Sequence, residues 1–369
     1  MRCASSLYAL AGFATVVSAH VPRTLNGSRS PSLRVTLARV VNGGPAELAA
    51  TIENVGSVDL NLLKVGTLLD DTLPVQKVSV VDENGDEVSF KGIHATLKHD
   101  VLRPEHFQVL KVAESVSTSI DAASVHEFPS SGTYSFKSTG VFSVAGVNST
   151  VLGGPPLLFE SNTLNLHVDA QAAARKSQAI SSRSLQDRTN IQDGCNATQL
   201  AASTQALSDC QTIALAAAAD AADPASARFV EYFGTNASAT RQTVADRLTA
   251  VADECAASPA GGASRYFCYD YYGVCESSGP LIAYTLWDVD TVVMCPLFYD
   301  SLPALPVACH QQDRATTSIH EMTHCEEVYS PHTNDYAYAY NESVALPPET
   351  ALLNADNYSL FANAVYMKC

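Results

Sequence analysis

The sequence His320-Glu-Met-Thr-His324, followed by Thr333-Asn-Asp335-Tyr-Ala-Tyr338, decides how the C-terminal half of this 369-residue chain is read. Helical character over residues 313–325 puts the two histidines at i and i+4, on one helix face, where both imidazoles reach a single Zn²⁺. Glu321, one residue past the first histidine, is placed to take a proton from a water activated beside the metal and later to hand it to a leaving amine. Two histidines do not complete a catalytic zinc site, which uses three protein ligands and an open position. Glu327 and Ser330 stand where a Gly and a third His would be needed downstream, so that spacing is absent. Glu342 and Glu349, 18 and 25 residues after His324, stay open as third ligands, and Glu349 would make the chain a gluzincin-type peptidase.

Outward from this motif, residues 200–222 are rich in Ala, and residues 239–257 set Val244, Leu248, Val251 and Cys255 on one face, which predicts two amphipathic helices. Residues 281–286 and 291–295 read as short strands about a turn at Trp287-Asp288, and helix returns after Pro347-Pro348. Upstream, residues 32–168 alternate β-branched runs with turn signals such as Glu83-Asn-Gly-Asp86, which predicts a small all-β sandwich. Residues 170–193 lose periodicity and carry Arg175-Lys176, Arg183 and Arg188, in the manner of an exposed linker.

Met1-Arg2, an apolar run over residues 7–17 and Ser18-Ala19 have the parts of a cleavable secretory signal. No later stretch offers the roughly 20 apolar residues that cross a bilayer. Cys3 leaves with that signal. The other nine cysteines lie between Cys195 and Cys369, marking a disulfide-stapled unit in an oxidising compartment with one thiol left over. Six Asn-x-Ser/Thr sequons, at Asn26, Asn148, Asn196, Asn236, Asn341 and Asn357, agree with a secretory route. A cysteine-free domain between a signal and a stapled unit is organised like a propeptide. The domains expected are a signal over 1–19, a propeptide over 20–188 with its basic linker over 170–188, and a catalytic unit over 189–369.

Of the net charge of -16, almost all falls in residues 189–369, which hold 21 acidic against 6 basic side chains. Such a surface repels nucleic acid and anionic lipid and steers cationic ligands toward itself, so basic proteins or peptides are the expected partners of a soluble monomer.

The pair of motifs, together with Glu231-Tyr-Phe233, Ala315-Thr-Thr317, Asn354-Ala-Asp356 and Lys368-Cys369, resembles the deuterolysin family of aspzincins across residues 195–369. The family's second motif reads G-T-x-D-x-x-Y-G; here His332 and Ala339 stand in place of its two glycines. The resemblance implies a secreted zinc endopeptidase of α+β fold. Its mainly helical zincin-type catalytic domain would carry a small β-hairpin or sheet and follow an all-β propeptide domain. It implies Asp335 as third zinc ligand beside His320 and His324, Glu321 as base, and Tyr338 as donor to the developing oxyanion. It also implies bridges Cys195–Cys268, Cys275–Cys295 and Cys309–Cys369, leaving Cys210 and Cys255 for a fourth and Cys325 as the odd thiol. Asp356 matches the first of two acidic positions that bind a substrate lysine in some members, while Ser359 stands at the second. Broad cleavage favouring basic proteins follows from the single carboxylate. The propeptide is expected to inhibit its own enzyme without a thiolate, by bulk, by a carboxylate or by one of His94, His99, His106, His126 and His167. The competing class is a non-catalytic secreted glycoprotein that binds zinc only for structure.

Overall fold

The computed structural model describes residues 31–177, 191–257, 261–275 and 279–369. The expected signal, and the linker positions Arg183 and Arg188, lie outside the described residues. The described chain is a mixed α/β structure, with its strands concentrated before residue 170 and its long helices after residue 196.

The N-terminal strands are β1 (Leu33–Arg39), β2 (Glu47–Asn54), β3 (Leu60–Leu63), β4 (Ser79–Val81), β5 (His94–Leu97), β6 (Phe107–Leu110), β7 (Ser115–Asp121), β8 (Gly132–Lys137), β9 (Thr139–Phe142), β10 (Leu157–Glu160) and β11 (Leu164–Val168). They form antiparallel sheets in the orders β1-β2-β7, β11-β8-β4, β3-β6 and β10-β9. In β2 every second residue is buried, so Leu48, Ala50 and Ile52 face one core with Leu37, Val80, Phe136 and Phe142. The chain read as linker begins with a short helix, α1 (Ala170–Ala174), which Asp169 caps by accepting from the amide of Ala172 at 3.0 Å. Ala173 is buried there, so the ordered unit runs further than its composition predicts.

After residue 191 come α2 (Ala197–Ala222), α3 (Ala227–Phe233), α4 (Ser238–Ala256), β12 (Arg265–Phe267), β13 (Leu281–Leu286), β14 (Thr291–Met294), α5 (Pro296–Ser301), α6 (Arg314–Thr323), α7 (Tyr340–Ser343), α8 (Pro348–Ala351) and α9 (Ala355–Met367). Asn196 and Gln199 cap α2 reciprocally, and buried Ala206, Ala214, Ala217 and Ala221 let α4 approach it closely. From α4, Val244, Leu248 and Val251 are fully buried, and Cys255 bridges to Cys210. The other bridges are Cys195–Cys268, Cys275–Cys295 and Cys309–Cys369, and Cys325 is a buried free thiol.

The small hairpin or sheet expected in the C-terminal unit is part of a four-stranded sheet ordered β12-β14-β13-β5. Its outer strand comes from the N-terminal unit. β5 runs antiparallel to β13 with His94 opposite Thr285, Ala95 opposite Tyr284 and Thr96 opposite Ala283. The edge of β13 would otherwise expose a row of unpaired amides and carbonyls, and β5 satisfies them. All four residues of β5 are buried.

Candidate metal centre and active site

Helix α6 is started by the buried side chain of Asp313, which accepts from the amide of Thr316 at 3.0 Å. The helix is buried along its length and carries His320 and Glu321 in its last turn, with His324 at its C-cap. The chain then returns: the amide of Thr333 donates to the carbonyl of Thr323 at 3.0 Å, and that of Asn334 to the carbonyl of Leu353 at 2.8 Å. Asn354 completes the clamp, its Oδ1 accepting from the amides of Tyr336 and Ala337 at 2.8 and 3.0 Å. Asp335 is thereby delivered beneath the two histidines.

His320, His324 and Asp335 each offer a ligand atom, all within 4.8 Å of one another. Asp335 Oδ1 lies 3.1 Å from His320 Nε2 and 3.3 Å from His324 Nε2. All three atoms are buried without a hydrogen-bond partner among the described residues, which is costly unless something binds there. The other ring nitrogens are engaged: His320 Nδ1 is 2.9 Å from Asp356 Oδ1, and His324 Nδ1 is 2.9 Å from the carbonyl of Thr333. Donation from each Nδ1 turns the Nε2 lone pair into the cluster. Two imidazole nitrogens and one carboxylate oxygen, oriented in this way, fit a catalytic Zn²⁺. Burial pushes the Asp335 carboxyl up, but the His324 and His320 rings outweigh it and hold the group well below the usual carboxylate range. Burial pushes His320 down, and Asp335 and Asp356 more than reverse this, so a proton competes with a metal for that ring.

Glu321 is fully buried beside the cluster. Thr285 Oγ1 donates to its Oε2 at 2.6 Å, and Thr96 Oγ1 to its Oε1 at 2.5 Å. Burial raises its pKa; the nearby imidazoles and the two hydroxyls act the other way. Tyr338 is buried, which pushes its phenol well above the ordinary value and keeps it a donor; it donates to the carbonyl of Ala95 at 2.9 Å. The amide of Ala95 donates to Asp335 Oδ2 at 3.1 Å. The ring of His94 lies flat on that of His324, with centroids 4.5 Å apart, yet His94 is not part of the three-residue ligand cluster. His99 meets Tyr338 edge-on, with ring centroids 5.8 Å apart. β5 therefore touches His324, Asp335, Tyr338 and Glu321 at once.

Several residues read from the sequence stand elsewhere than expected. Glu349 is exposed on α8, outside the cluster. Glu342 is buried but turns toward the N-terminal unit, where its Oε1 accepts from the amide of Val144 at 3.1 Å. His332 stacks on Trp287 and pairs with Glu326 at 2.8 Å. Asn357 is fully buried with its amide donating to the carbonyls of Tyr232 and Ser343, so that sequon is closed to a glycan in the folded chain. Asp356, expected to touch substrate, has both oxygens committed, Oδ1 to His320 and Oδ2 to the amide of Ala339 at 2.8 Å. The reason is its place in the first turn of α9, which packs directly on α6. The second bond also anchors Ala339, whose φ of 62° and ψ of 164° belong to a region that favours glycine and costs on the order of 1–3 kcal/mol. Sequence reasoning passed over Thr285 and Thr96. The only signal for Thr285 is a short polar side chain in an otherwise apolar strand.

Asp356→Ala is expected to weaken zinc binding by about 10- to 100-fold by freeing the His320 ring, a loss read by chelator competition on the purified chain.

The profile described as the Deuterolysin metalloprotease (M35) family matches residues 1–369. A neutral protease 2 homolog of Botryotinia fuckeliana is 42% identical over 369 residues, covering 100% of both chains. One from Sclerotinia sclerotiorum is 45% identical over 337 residues, 91% of each chain. Neutral protease 2 of Aspergillus oryzae is 37% identical over 365 residues, 99% of this chain and 98% of its own. A solved zinc peptidase from Grifola frondosa shares 22% identity at a TM-score of 0.38, over 46% of this chain and 97% of that one. With a full-length family match and relatives of this identity standing beside a buried His-His-Asp cluster, the chain belongs to the deuterolysin metalloprotease family and is a zinc metalloendopeptidase.

Proposed function

We propose that the chain is the latent precursor of a secreted zinc endopeptidase, with a propeptide over residues 20–188 and a mainly helical zincin-type catalytic domain over residues 189–369. His320, His324 and Asp335 hold the metal. When bound, Zn²⁺ supplies Lewis acidity to the water and to the substrate carbonyl. Glu321 takes the proton from the attacking water and carries it to the leaving nitrogen. Tyr338 donates to the carbonyl oxygen as it gains charge. One observation supports both the chemistry and the latency: Glu321, Asp335 and Tyr338 are each hydrogen bonded to Ala95 or Thr96 of β5. A peptide strand held by these three groups stands where a substrate must stand.

The signal pattern and the disulfides of the catalytic unit support secretion, and no described helix is long and apolar enough to cross a membrane. The acidic surface of residues 189–369 favours basic protein substrates. A lysine pocket built on Asp356 gains no support, since its oxygens already have partners.

The test compares the intact chain with the same chain cut between residues 175 and 188. Hydrolysis is expected only after the cut and release of the N-terminal fragment; an intact chain as active as the cut one overturns the latency. Release should depend on pH through Glu342, which burial beside Ser143 and Val144 raises from 4.5 to about 7. A carboxyl raised in the complex is protonated there first, so the complex gains stability as pH falls from 7 toward 4.5 and loses it as pH rises through 7. His94 and His99, which burial holds below the ordinary imidazole value, act the other way, so the Glu342 contribution is read as a difference: Glu342→Gln is expected to change fragment release relative to the parent between pH 5.5 and pH 8, as measured by gel filtration of both proteins at each pH.

A further inference from the structure

We infer that Thr285 is the positioning residue of the general base, holding Oε2 of Glu321 so that Oε1 is the oxygen that accepts the proton from water. The inference rests on the reading of Glu321 as that base. The two oxygens of this carboxylate are served by two threonines from different parts of the chain, and only one of them belongs to the catalytic unit. Thr96 sits on β5 and departs with the N-terminal fragment. Thr285 sits on β13, between Val292 of β14 and His94 of β5, and stays.

Its hydroxyl is suited to the task. Thr285 is fully buried, so its hydroxyl must find a partner, and the shorter of its contacts is Glu321 Oε2 at 2.6 Å against 3.4 Å to the Glu321 carbonyl. A β-branched side chain in a strand has few rotamers, so the donor does not wander. A bond of this length to a carboxylate is charge-assisted and survives burial better than a neutral one.

Thr96 marks the working face. Its hydroxyl occupies Oε1, and the carbonyl of the preceding residue, Ala95, is the group that Tyr338 holds. An oxygen bonded to Glu321 Oε1, on the residue that follows the carbonyl held by the Tyr338 phenol, stands in for the attacking water. When β5 leaves, Oε1 loses its donor and Oε2 keeps one.

The experiment uses the full chain, activated by linker cleavage, as parent, Thr285→Val, Thr285→Ser and Glu321→Gln, each with zinc content and thermal unfolding midpoint measured. Thr285→Val is expected to lower kcat by about 10- to 100-fold, the worth of one hydrogen bond to a charged acceptor, with KM changed less than about 2-fold. Zinc content stays at the parent level, and Thr285→Ser restores kcat to within about 3-fold of the parent, since it restores the same bond. Should the valine protein not fold, Thr285→Ala carries the same expectation. Parental kcat in Thr285→Val, or a loss that serine does not repair, overturns the inference while leaving the base intact. Parental activity in Glu321→Gln overturns the assignment of the base itself.

Discussion

Glu321→Gln in the activated enzyme is expected to reduce peptide hydrolysis by at least about 10²-fold, and up to about 10⁴-fold, while zinc content stays at that of the parent. The separation of the two readouts follows from geometry. The metal-ligand cluster comprises His320, His324 and Asp335, and the Glu321 carboxylate is directed instead to Thr285 and Thr96. Glutamine keeps the volume of the buried side chain and removes only its basicity, so the variant should fold at least as well as the parent. A neutral amide avoids the cost of a buried charge. A protein substrate assayed beside elemental analysis of the same samples decides the matter. Zinc in both and activity in the parent alone assigns the base; equal activity in both removes Glu321 from the mechanism; zinc loss in the variant would mean that the carboxylate supports the metal after all.

What sequence reveals here is what is local or periodic. The i, i+4 histidines place themselves on one face of α6, and the spacing of Val244, Leu248 and Val251 marks the buried side of α4. Asp335 is legible through the second motif and its likeness to a known family, because no local rule says which of several downstream acids folds back. The structure brings it beneath His320 and His324 by means of Thr333, Asn334 and Asn354, contacts made across 10 and 18 residues and more. Glu349, further along the chain, ends exposed on α8. Asp356 matches a position that contacts substrate in some members of the family, and sequence gives no sign that the packing of α9 on α6 sets it against His320.

Long-range strand pairing is the part that sequence does not carry. His-Ala-Thr-Leu over β5 is four residues, too short to show a period, and its partner on β13 lies almost two hundred positions downstream. Register adds a second difficulty, since a shift of one residue would exchange Thr96 for Ala95 on the face that meets Glu321. The helix at residues 170–174 was hidden for a related reason: four alanines and a glutamine have no apolar pattern, and it is the Asp169 cap, the burial of Ala173 and the bond from the Ala170 amide to Ser131 that hold them.

Asp335→Ala is expected to cost the site its metal, lowering zinc affinity by more than about 10²-fold, because a second contact such as Asp356 is already worth about 10- to 100-fold and a direct ligand contributes more. Glu349→Ala, made in parallel, should retain zinc and activity, since that side chain is exposed and outside the cluster. The asymmetry is sharpened by charge. Asp335 is the ionised member of the cluster and draws both imidazoles toward it, so its removal leaves two rings with no fixed negative charge to offset a divalent cation. In the intact chain the same substitution also deprives the amide of Ala95 of its acceptor, and β5 should be held less firmly. The two consequences part in the readouts: zinc content falls in the intact and the cut chain alike, whereas the faster release of the N-terminal fragment is seen only after cutting. Zinc retained in Asp335→Ala and lost in Glu349→Ala would reverse the ligand assignment and return the chain to the gluzincin arrangement. Zinc lost in neither would move the third ligand to a residue outside both motifs, and the buried, unpartnered Asp335 Oδ1 would then need another occupant.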